Sequence, residues 1–532
     1  RLYVFTQDNP AFVGKIQDSL RAANNVSYRH RLMTFQKKYR DAEMKWEPWG
    51  NLQCIQVGIR CIRAVLTSME DCFELTKKQN GRNLAYYVDT TLAFDDFVID
   101  ETELRALSRP MNLPMIEAPI PYERVDGEVT GGYHTATLRR LSPFIKTRGP
   151  EHKAFVDAHF PYKHMTAVNS LQSTAWQANP AVVDAVTRIA ADGLLPDHLP
   201  KAVATEIPPR PDTEDEERIL QWKQDARRVY GRNKKNKVAM MQLRQNLEFL
   251  WEIGDDPFWF TYSCDFRGRL YCNSPLASMQ GEDHLKAMIR FKEGKVMGER
   301  GLHWLAVHGA NKYGYDKVPY ADRVRWVHDH RDDIQEVVRF PTGSRALSFL
   351  RGADKPFQFL AFANEWADAG YGTDPSAVGY LPIGLDGSCN GLQHYAALLR
   401  DPRGGQAVNL VNGDTPSDIY GDVADALRAR LAGITDDVAT RFLAGGFDRK
   451  LTKRPVMTLP YGATQQSCRA YVREYIKDHA EKFGMHPDDD TAQWKLAVAI
   501  TPHVWAAIGD VVVGGRQGMA WLQKCASMAN KQ

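Results

Sequence analysis

The sequence predicts a helix-rich protein of mixed α/β class, built from several structural units. Its 532 residues exceed what one ordinary core accommodates, so about three or four units are expected. Residues 1–105 are rich in helix formers, whereas β-rich and helical segments alternate from about residue 257 onward. The front of the chain is therefore predicted to be helical, and the remainder to combine strands with helices.

Composition restricts the environment of the chain more than its function. Lys plus Arg number 68 and Asp plus Glu 65, a balance that neither requires nor excludes a polyanionic partner. The eight cysteines are scattered without a Cys-x-x-Cys pair, which is typical of free thiols in a reducing compartment. The most apolar stretch, 495–516, contains Pro502, His503 and Asp510. A buried core helix is therefore favoured there over a membrane span.

Two changes in composition mark boundaries in the first half of the chain. Prolines and glycines accumulate between 109 and 150, which predicts turns and short hairpins. The sequence IPPRPDTEDEE at 207–217 predicts a proline-stiffened linker and then a helix that Thr213 caps, with Glu216 three residues later. That helix is predicted to run to about residue 250.

The middle of this long helix carries clustered positive charge around Tyr230. The cluster contains Arg227, Arg228, Arg232, Lys234, Lys235 and Lys237. A solvated helix face would explain such a run equally well. The aromatic ring among the cations favours a nucleic-acid backbone, because a ring can stack on a base while cations neutralise phosphates.

The segment DGSCNGLQH at 386–394 follows the apolar run YLPIGL at 380–385. The apolar run predicts a β-strand, and Asp-Gly at its end by itself predicts only a turn. The alternative is that Asp386 is a metal-binding carboxylate at a strand end, followed by a backbone bare enough for a substrate to lie against it.

A second informative segment, RKLTKRPVMTLPYG, lies at 449–462. Residues spaced by four share one face of a helix, and here they are Arg449, Lys453, Met457 and Tyr461. Cations on that face suit a triphosphate and flat residues suit a base and sugar, although a basic amphipathic helix without a ligand is the alternative. Arg454 adds charge beside this stripe. Pro455 and Pro460 predict that the helix starts late or bends.

Together the two segments supply what nucleotidyl transfer requires. Two Mg²⁺ ions clamp an in-line attack on an α-phosphate, and cations neutralise the leaving pyrophosphate. On these motifs the sequence resembles the single-subunit DNA-directed RNA polymerases of bacteriophages and mitochondria, and most closely the phage members. DFRGRLY at 265–271, HGANKYGYDKVPY at 308–320 and STAWQANPAVVDAV at 173–186 extend the resemblance.

The resemblance implies a right-hand architecture of palm, thumb and fingers behind a helical N-terminal domain. The implied divisions are an N-terminal domain at 1–170, a thumb-like region at 171–255, a palm at 256–435 and fingers at 436–532. It also implies a DNA template with its promoter, an RNA product, nucleoside triphosphates and two Mg²⁺ ions as partners. A monomer without a membrane association, in the cytoplasm of a host cell if phage-encoded, is expected.

Residue roles follow from the resemblance, position by position. Asp386 and the Gly387 carbonyl correspond to ligands of the first metal ion, and Asp386, Lys453 and Tyr461 to catalytic positions. Arg449 and Lys453 correspond to triphosphate contacts, and Tyr461 also to the residue beside the incoming ribose. Lys317 is placed near the triphosphate, and Arg454 is a further substrate-binding position. Arg269 and Tyr271 are placed near the template or the starting nucleotide. The thumb-like helix is expected to grip nucleic acid through Arg232, Lys234, Lys235 and Lys237.

One element of the family pattern is missing from the sequence. The family has a second metal-binding aspartate, in an apolar-flanked His-Asp motif downstream of the basic helix. His328-Asp329 lies upstream in a charged helical context, and 488–490 is a polar loop. We therefore expect the chain to stop inside the fingers, to lack the C-terminal part of palm and fingers, and to hold the second Mg²⁺ poorly.

Two other functions compete with RNA synthesis. A family A DNA polymerase shares the Arg, Lys and Tyr-Gly spacing, but such enzymes exclude ribose with a bulky acidic residue soon after the metal aspartate. Here Gly387, Ser388 and Cys389 leave room for a 2′-hydroxyl. The missing aspartate makes a catalytically inactive nucleic-acid-binding relict of the polymerase fold the second alternative.

Overall fold

Helices dominate the protein, and its strands form antiparallel pairs, which confirms the helix-rich α/β class. The structure is a computed structural model. It describes residues 51–80, 83–91 and 110–530, except 148, 161, 202, 214, 414 and 488. The chain divides into two compact units, Arg1–Leu107 with Ile207–Tyr230 and Ser108–Glu206 with Gly231–Gln532.

The first unit combines a helix with a β-hairpin. Its described elements are α1 (Asn51–Ser68), β1 (Phe73–Asn80) and β2 (Asn83–Thr90). The strands pair from Phe73 opposite Thr90 to Asn80 opposite Asn83. The helical prediction for 1–105 is therefore correct for α1 and wrong for the hairpin, where each strand satisfies the backbone of the other. Residues 1–50 and 92–109 lie outside the described residues.

The first half of the second unit alternates short strand pairs with helices. Its elements are β3 (Ile120–Val125), β4 (Glu128–Gly132), α2 (Ala136–Leu141), α3 (Pro150–His159), α4 (His164–Ser173), β5 (Trp176–Ala178), α5 (Pro180–Ala191), α6 (Glu216–Ile253, which begins in the first unit), β6 (Tyr262–Cys264), β7 (Leu270–Cys272), α7 (Asp283–Ala287), β8 (Ile289–Phe291), β9 (Lys295–Val296), α8 (Gly298–Tyr313), α9 (Tyr320–Asp329), α10 (Arg331–Arg339), α11 (Ser344–Arg351), α12 (Pro356–Asp368) and β10 (Val378–Gly379). The β3–β4 hairpin confirms the turn-rich prediction for 109–150. The β6–β7 pair lies on either side of an Arg-Gly-Arg turn, where Gly268 has φ +84°, and it confirms the β-rich structure predicted after residue 257.

Helix α6 begins later than its capping signal predicts. Asp215 is the capping residue, and its carboxylate accepts the N–H of Arg218 at 3.4 Å. The Thr213 hydroxyl instead accepts the N–H of Asp215 at 3.2 Å. Thr213 as the cap is thus wrong, because an aspartate nearer the first helical residue occupies that position.

One hydrophobic core, extending from Tyr122 to Ala369, holds this half together. Helix α12 contributes four large aromatic side chains to it, all buried: Phe357, Phe359, Phe362 and Trp366. Helix α5 adds Val182, Val186 and Ile189, each with no exposed surface. Burying residues of this size is worth roughly 1.5–3 kcal/mol for each side chain, so this core supports the strand pairs around it.

A separate core, from Cys389 to Val512, organises the second half. Its elements are α13 (Asn390–Leu399), α14 (Pro402–Ala407), α15 (Ile419–Ala432), α16 (Asp437–Gly445), α17 (Arg449–Thr458) with a 3₁₀ turn (Leu459–Tyr461), α18 (Gln465–Asp478) with a second 3₁₀ turn (Ala480–Phe483), α19 (Asp490–Val511) and α20 (Val513–Ala529). Arg430 of α15 donates to both carboxylate oxygens of Asp510 on α19, at 2.6 and 3.0 Å. This pair fixes two helices of the core side by side.

The apolar stretch 495–516 contains most of α19, whose inward residues are buried in this core, including Ile500 and Val504. The predicted core helix is therefore confirmed. Among the described residues no single helix has the length and apolar composition to span a membrane; α19 and α20 meet that test only as a pair bent by 103°.

Candidate active site and nucleic-acid interface

The segment that leads to Asp386 is not a strand, so the strand predicted at 380–385 is wrong. Among the described residues a strand bonds only its first residue, where the Phe291 N–H of β8 donates to the Tyr380 carbonyl at 3.0 Å. The carboxylate of Glu365 accepts the N–H groups of Tyr380 and Leu381 at 3.0 and 3.1 Å. Burial raises the pKa of Glu365, and these two hydrogen bonds oppose the rise. A side chain thus satisfies backbone donors that a neighbouring strand would otherwise take.

Asp386 lies on an exposed loop. The preceding Leu385 is 94% exposed, and Asp386 and Gly387 are also exposed. The Gly387 N–H donates to Asp386 Oδ1 at 2.9 Å, and no other described residue forms a hydrogen bond or ion pair with this carboxylate. The second oxygen is therefore available to a ligand.

Asn409 anchors the loop at Ser388, two residues after Asp386. Its Nδ2 donates to Ser388 Oγ at 3.0 Å and to the Ser417 carbonyl at 2.9 Å. Its Oδ1 accepts the Ser417 N–H at 2.7 Å. Asn409 itself has φ +58°, a backbone conformation that asparagine tolerates better than most residues. Sequence reasoning missed Asn409, whose signal is this turn preference alone.

The basic segment forms the helix that its spacing predicts. Asp448 caps α17 by accepting the Lys450 N–H at 2.9 Å, and Gly462 ends the 3₁₀ turn with φ +84°. The inward face is buried, and the outward stripe of Lys453, Met457 and Tyr461 is exposed. The expected stripe is confirmed for these three residues, whereas Arg449, its first member, is half-buried.

The two prolines alter the end of this helix and not its start. Pro455 lies inside α17 with its ring buried, so the alternative of a late start at that residue is wrong. Pro460 lies in the 3₁₀ turn, where a tighter turn replaces the α-helical hydrogen bonds that a proline cannot make. Tyr461, 66% exposed, therefore stands at the end of the segment.

The cations of this segment differ in their partners. Arg449 pairs with Asp418, and Nη2 donates to Oδ1 at 3.1 Å. Arg454 pairs with Glu474 and lies 4.6 Å from the centre of the Tyr471 ring. Lys453 has no ion pair or hydrogen bond with any residue that the structure describes. Of the three, Lys453 is the cation most available to an anionic ligand.

The structure brings the two predicted motifs into contact. A Cβ placed on Gly391, in α13, would lie 2.8 Å from Pro460 Cβ and 3.9 Å from Tyr461 Cζ. Only a glycine lets the α13 backbone approach the Pro460 ring so closely. The helix that follows Asp386 therefore packs directly on the turn that carries Tyr461.

Tyr420 of α15 provides a second connection. Its ring lies 5.4 Å from the Arg449 guanidinium, and its carbonyl accepts the Thr452 hydroxyl at 2.7 Å. Its hydroxyl interacts with the Cys389 thiol, three residues after Asp386. Burial raises the pKa of both Tyr420 and Cys389, so both groups are neutral at pH 7. Sequence reasoning missed Tyr420.

The other predicted substrate contacts, Arg269, Tyr271 and Lys317, interact with residues close to them in the sequence. The Asp265 carboxylate accepts the Arg269 N–H at 3.0 Å and the Tyr271 hydroxyl at 3.3 Å. Lys317 Nζ lies 3.1 Å from Asp316 Oδ2. All three predicted side chains are exposed, and none of the described contacts joins them to the Asp386 loop.

The positive residues of α6 lie outward, on a helix that is fixed from its other side. The predicted nucleic-acid contacts are all exposed, namely Arg232, Lys234, Lys235 and Lys237. Between them Asn236 bonds both backbone groups of Lys201, at 2.7 and 2.6 Å. Asn233 does the same with Thr205, at 3.0 and 2.8 Å. The amides hold this helix to the preceding loop and leave the cations facing solvent.

The described residues contain no ready-made cluster of metal-binding side chains. No group of three or more His, Cys, Asp or Glu side chains among the described residues could hold a metal ion. Asp329 ends α9, Asp489 caps α19, and Asp490 pairs with Arg473 at 3.3 Å. Asp386 and the exposed Gly387 carbonyl offer the hard oxygen ligands that Mg²⁺ prefers, so they fit one side of such a site.

Comparison with known proteins agrees with the motifs. The sequence model of the DNA-dependent RNA polymerase family matches residues 295–532, which contain both motifs. The chain is 32% identical to the DNA-directed RNA polymerase of Enterobacteria phage T3, over 91% of this chain and 57% of that protein. It is 30% identical to T7 RNA polymerase of Escherichia phage T7, over the same shares. DNA-directed RNA polymerase 1 of Nicotiana sylvestris mitochondria is 29% identical, over 98% of this chain and 54% of the relative.

The predicted resemblance is therefore confirmed: the chain is related to the single-subunit DNA-directed RNA polymerases of bacteriophages and mitochondria. It spans 57% of the length of the phage T3 relative.

Proposed function

We propose that this chain is the nucleotide-binding and template-binding portion of a DNA-directed RNA polymerase. Such an enzyme transfers nucleotidyl groups from ribonucleoside triphosphates to a growing RNA on a DNA template. The observation that carries the proposal is the contact of Gly391 with Pro460 and Tyr461. It brings a free carboxylate loop and a cationic helix into one core, as nucleotidyl transfer requires.

The right-hand architecture is part of the proposal. We assign α6 to the thumb within 171–255, the Asp386 loop to the palm at 256–435, and α17 to the fingers at 436–532. In support, α17 packs between α15 and α18, so neighbouring helices hold it from two sides. The outward face of α6 supplies the charge that a thumb needs to hold a nucleic-acid backbone.

At the chemical centre, Asp386 and the Gly387 carbonyl would hold Mg²⁺. When bound, the ion stabilises the charge that develops on the α-phosphate during transfer. Lys453 lies unpaired among the described residues and is assigned to the triphosphate. Tyr461 presents its ring and hydroxyl at the end of the same stripe, where a ribose and base follow the phosphates.

The remaining cations are assigned different contacts with the substrate or the template. Arg449 contacts the triphosphate from the start of α17. Arg454 is engaged by Glu474 and Tyr471, so its contribution is to the positive field and to the α17–α18 contact. Lys317 is assigned to the triphosphate, and we place Arg269 and Tyr271 near the template or the starting nucleotide.

Incorporation of ribonucleotides and deoxyribonucleotides on a primed DNA template tests the proposal. We expect template-dependent extension that prefers ribonucleotides and requires Mg²⁺. A preference for deoxyribonucleotides would indicate a DNA polymerase. Template binding without extension by the protein in its full natural length would indicate a nucleic-acid-binding relict.

The setting of the reaction completes the proposal. The relatives include both phage and plant mitochondrial enzymes. We propose a monomer that acts on promoter DNA, in the host cytoplasm if the protein is phage-encoded. Sedimentation of the purified protein tests the monomer.

A further inference from the structure

Asp418 occupies a helix-capping position without capping its helix. It is the residue before α15, where an aspartate commonly accepts the N–H of the second or third helical residue. Its side chain makes no such bond. By contrast Asp436, in the same position before α16, accepts the Ala439 N–H at 2.6 Å. The Asp418 carboxylate is therefore turned to a different partner.

That partner is Arg449, the first cation of the proposed triphosphate site. Nη2 donates to Asp418 Oδ1 at 3.1 Å. Nε lies 2.7 Å from Oδ2, although its N–H is not in line with that oxygen. Among the described residues Nη1 has no acceptor. One edge of the guanidinium is thus engaged, and a nitrogen remains for a further anion.

The Tyr420 ring restricts the position of the Arg449 guanidinium from a second side. Its centre lies 5.4 Å from the guanidinium carbon of Arg449, a distance at which a cation is attracted to the ring face. The carboxylate and the ring come from positions two residues apart at the start of α15. Together they fix where an otherwise flexible side chain holds its charge.

We propose that Asp418 is a positioning residue for nucleotide binding, which orients Arg449 before the triphosphate arrives. The inference rests on the proposed function, since it requires Arg449 to contact the triphosphate. The pair is partly exposed, with 41% of the Arg449 side chain and 25% of the Asp418 side chain accessible. A polyanion can therefore add to Arg449 while Asp418 keeps its edge of the guanidinium.

Asp418→Asn tests the inference through the kinetics of ribonucleotide incorporation. Loss of one charge-assisted bond should raise the KM for nucleoside triphosphate by about three- to tenfold, with kcat within about twofold. Asp418→Glu should restore part of the KM. The melting temperature should hardly change, because the carboxylate does not cap α15.

Asp436→Ala is the matched control, because this aspartate does cap its helix and alanine cannot. It should lower the melting temperature and leave the KM unchanged. If Asp418→Asn instead behaves like Asp436→Ala, with a lower melting temperature and an unaltered KM, Asp418 is a structural residue and the inference is overturned.

A double-mutant cycle with Arg449→Ala separates the inference from the proposed function. Arg449→Ala should raise the KM, and Asp418→Asn should then add nothing to it. An equal further rise in the double mutant would overturn the inference alone, because Asp418 would be acting without Arg449. An unchanged KM in Arg449→Ala itself would overturn both the inference and the triphosphate role of Arg449.

Discussion

The two motifs of the candidate site differ in how the fold supports them. Helix α17 has a capped start, a buried face and neighbours on two sides. The Asp386 loop is not part of a strand, and side chains attach it, Glu365 before the aspartate and Asn409 after it. The cations are thus presented by a packed helix, and the carboxylate by a loop that side chains hold.

This difference assigns separate tasks to the two regions. A packed helix fixes the spacing of Lys453 and Tyr461, which would select and orient a nucleotide. An exposed loop leaves Asp386 open to a metal ion. We expect substitutions in the loop to affect chemistry most, and substitutions in the helix to affect substrate choice.

Asp386→Asn should give the largest effect. Nucleotide addition should fall by roughly a thousandfold or more, because a metal ligand contributes several kcal/mol to transition-state stabilisation. Affinity for the template should stay near normal. Asp437→Asn removes an 88% exposed carboxylate whose ion-pair partner among the described residues is Arg441, and this control should keep normal incorporation. Near-normal turnover of Asp386→Asn would contradict the assignment of Asp386 as a metal ligand. It would also contradict the division of tasks between the loop and the helix.

Gly391→Ala should separate the motifs physically. The new Cβ would lie 2.8 Å from Pro460, and such overpacking costs about 1–3 kcal/mol. We expect a lower melting temperature and reduced incorporation with template binding retained. Gly433→Ala is the control, since its Cβ would meet only the Arg430 carbonyl at 3.6 Å. Equal behaviour of the two variants would mean that the contact between the motifs has no functional weight.

The sequence predicts the helical part of this site better than the loop. Helix α17 and its exposed stripe follow from spacing that a short window contains, and so does α19 as a core helix. The prediction of a strand at 380–385 was wrong because a strand needs a pairing partner along its length, and a local apolar run does not show whether one is present. Glu365, on the helix that precedes this segment, accepts the N–H groups of Tyr380 and Leu381 instead.

The supporting polar residues were not predictable for a related reason. Asp418 lies 31 residues from Arg449, and Asn409 lies 21 residues from Ser388. Local rules identify Asp418 as a helix cap, and only the folded chain shows its carboxylate on Arg449. Long-range side-chain contacts of this kind leave no periodic signal in one sequence.

Neutralising Arg232, Lys235 and Lys237 on α6 extends the comparison to nucleic-acid binding. The slope of log affinity against log salt should decrease by up to about one unit for each lost phosphate contact. The KM for nucleotide should change little. Lys482→Gln with Lys524→Gln, exposed lysines elsewhere, should leave the slope unchanged. An unaltered slope in the α6 variant would assign these cations to a solvated surface.

Tyr461→Phe gives the smallest expected effect and the most direct test that this site selects ribonucleotides. The variant keeps the exposed ring and removes only the hydroxyl, whose hydrogen bond contributes about 0.5–1.5 kcal/mol. Incorporation of matched ribonucleotides and deoxyribonucleotides should be compared between the wild-type protein and the variant. We predict that discrimination against deoxyribonucleotides falls by up to about tenfold while ribonucleotide incorporation is largely kept. An unchanged ratio, or an equal loss with both substrates, would contradict the assignment of Tyr461 to the sugar.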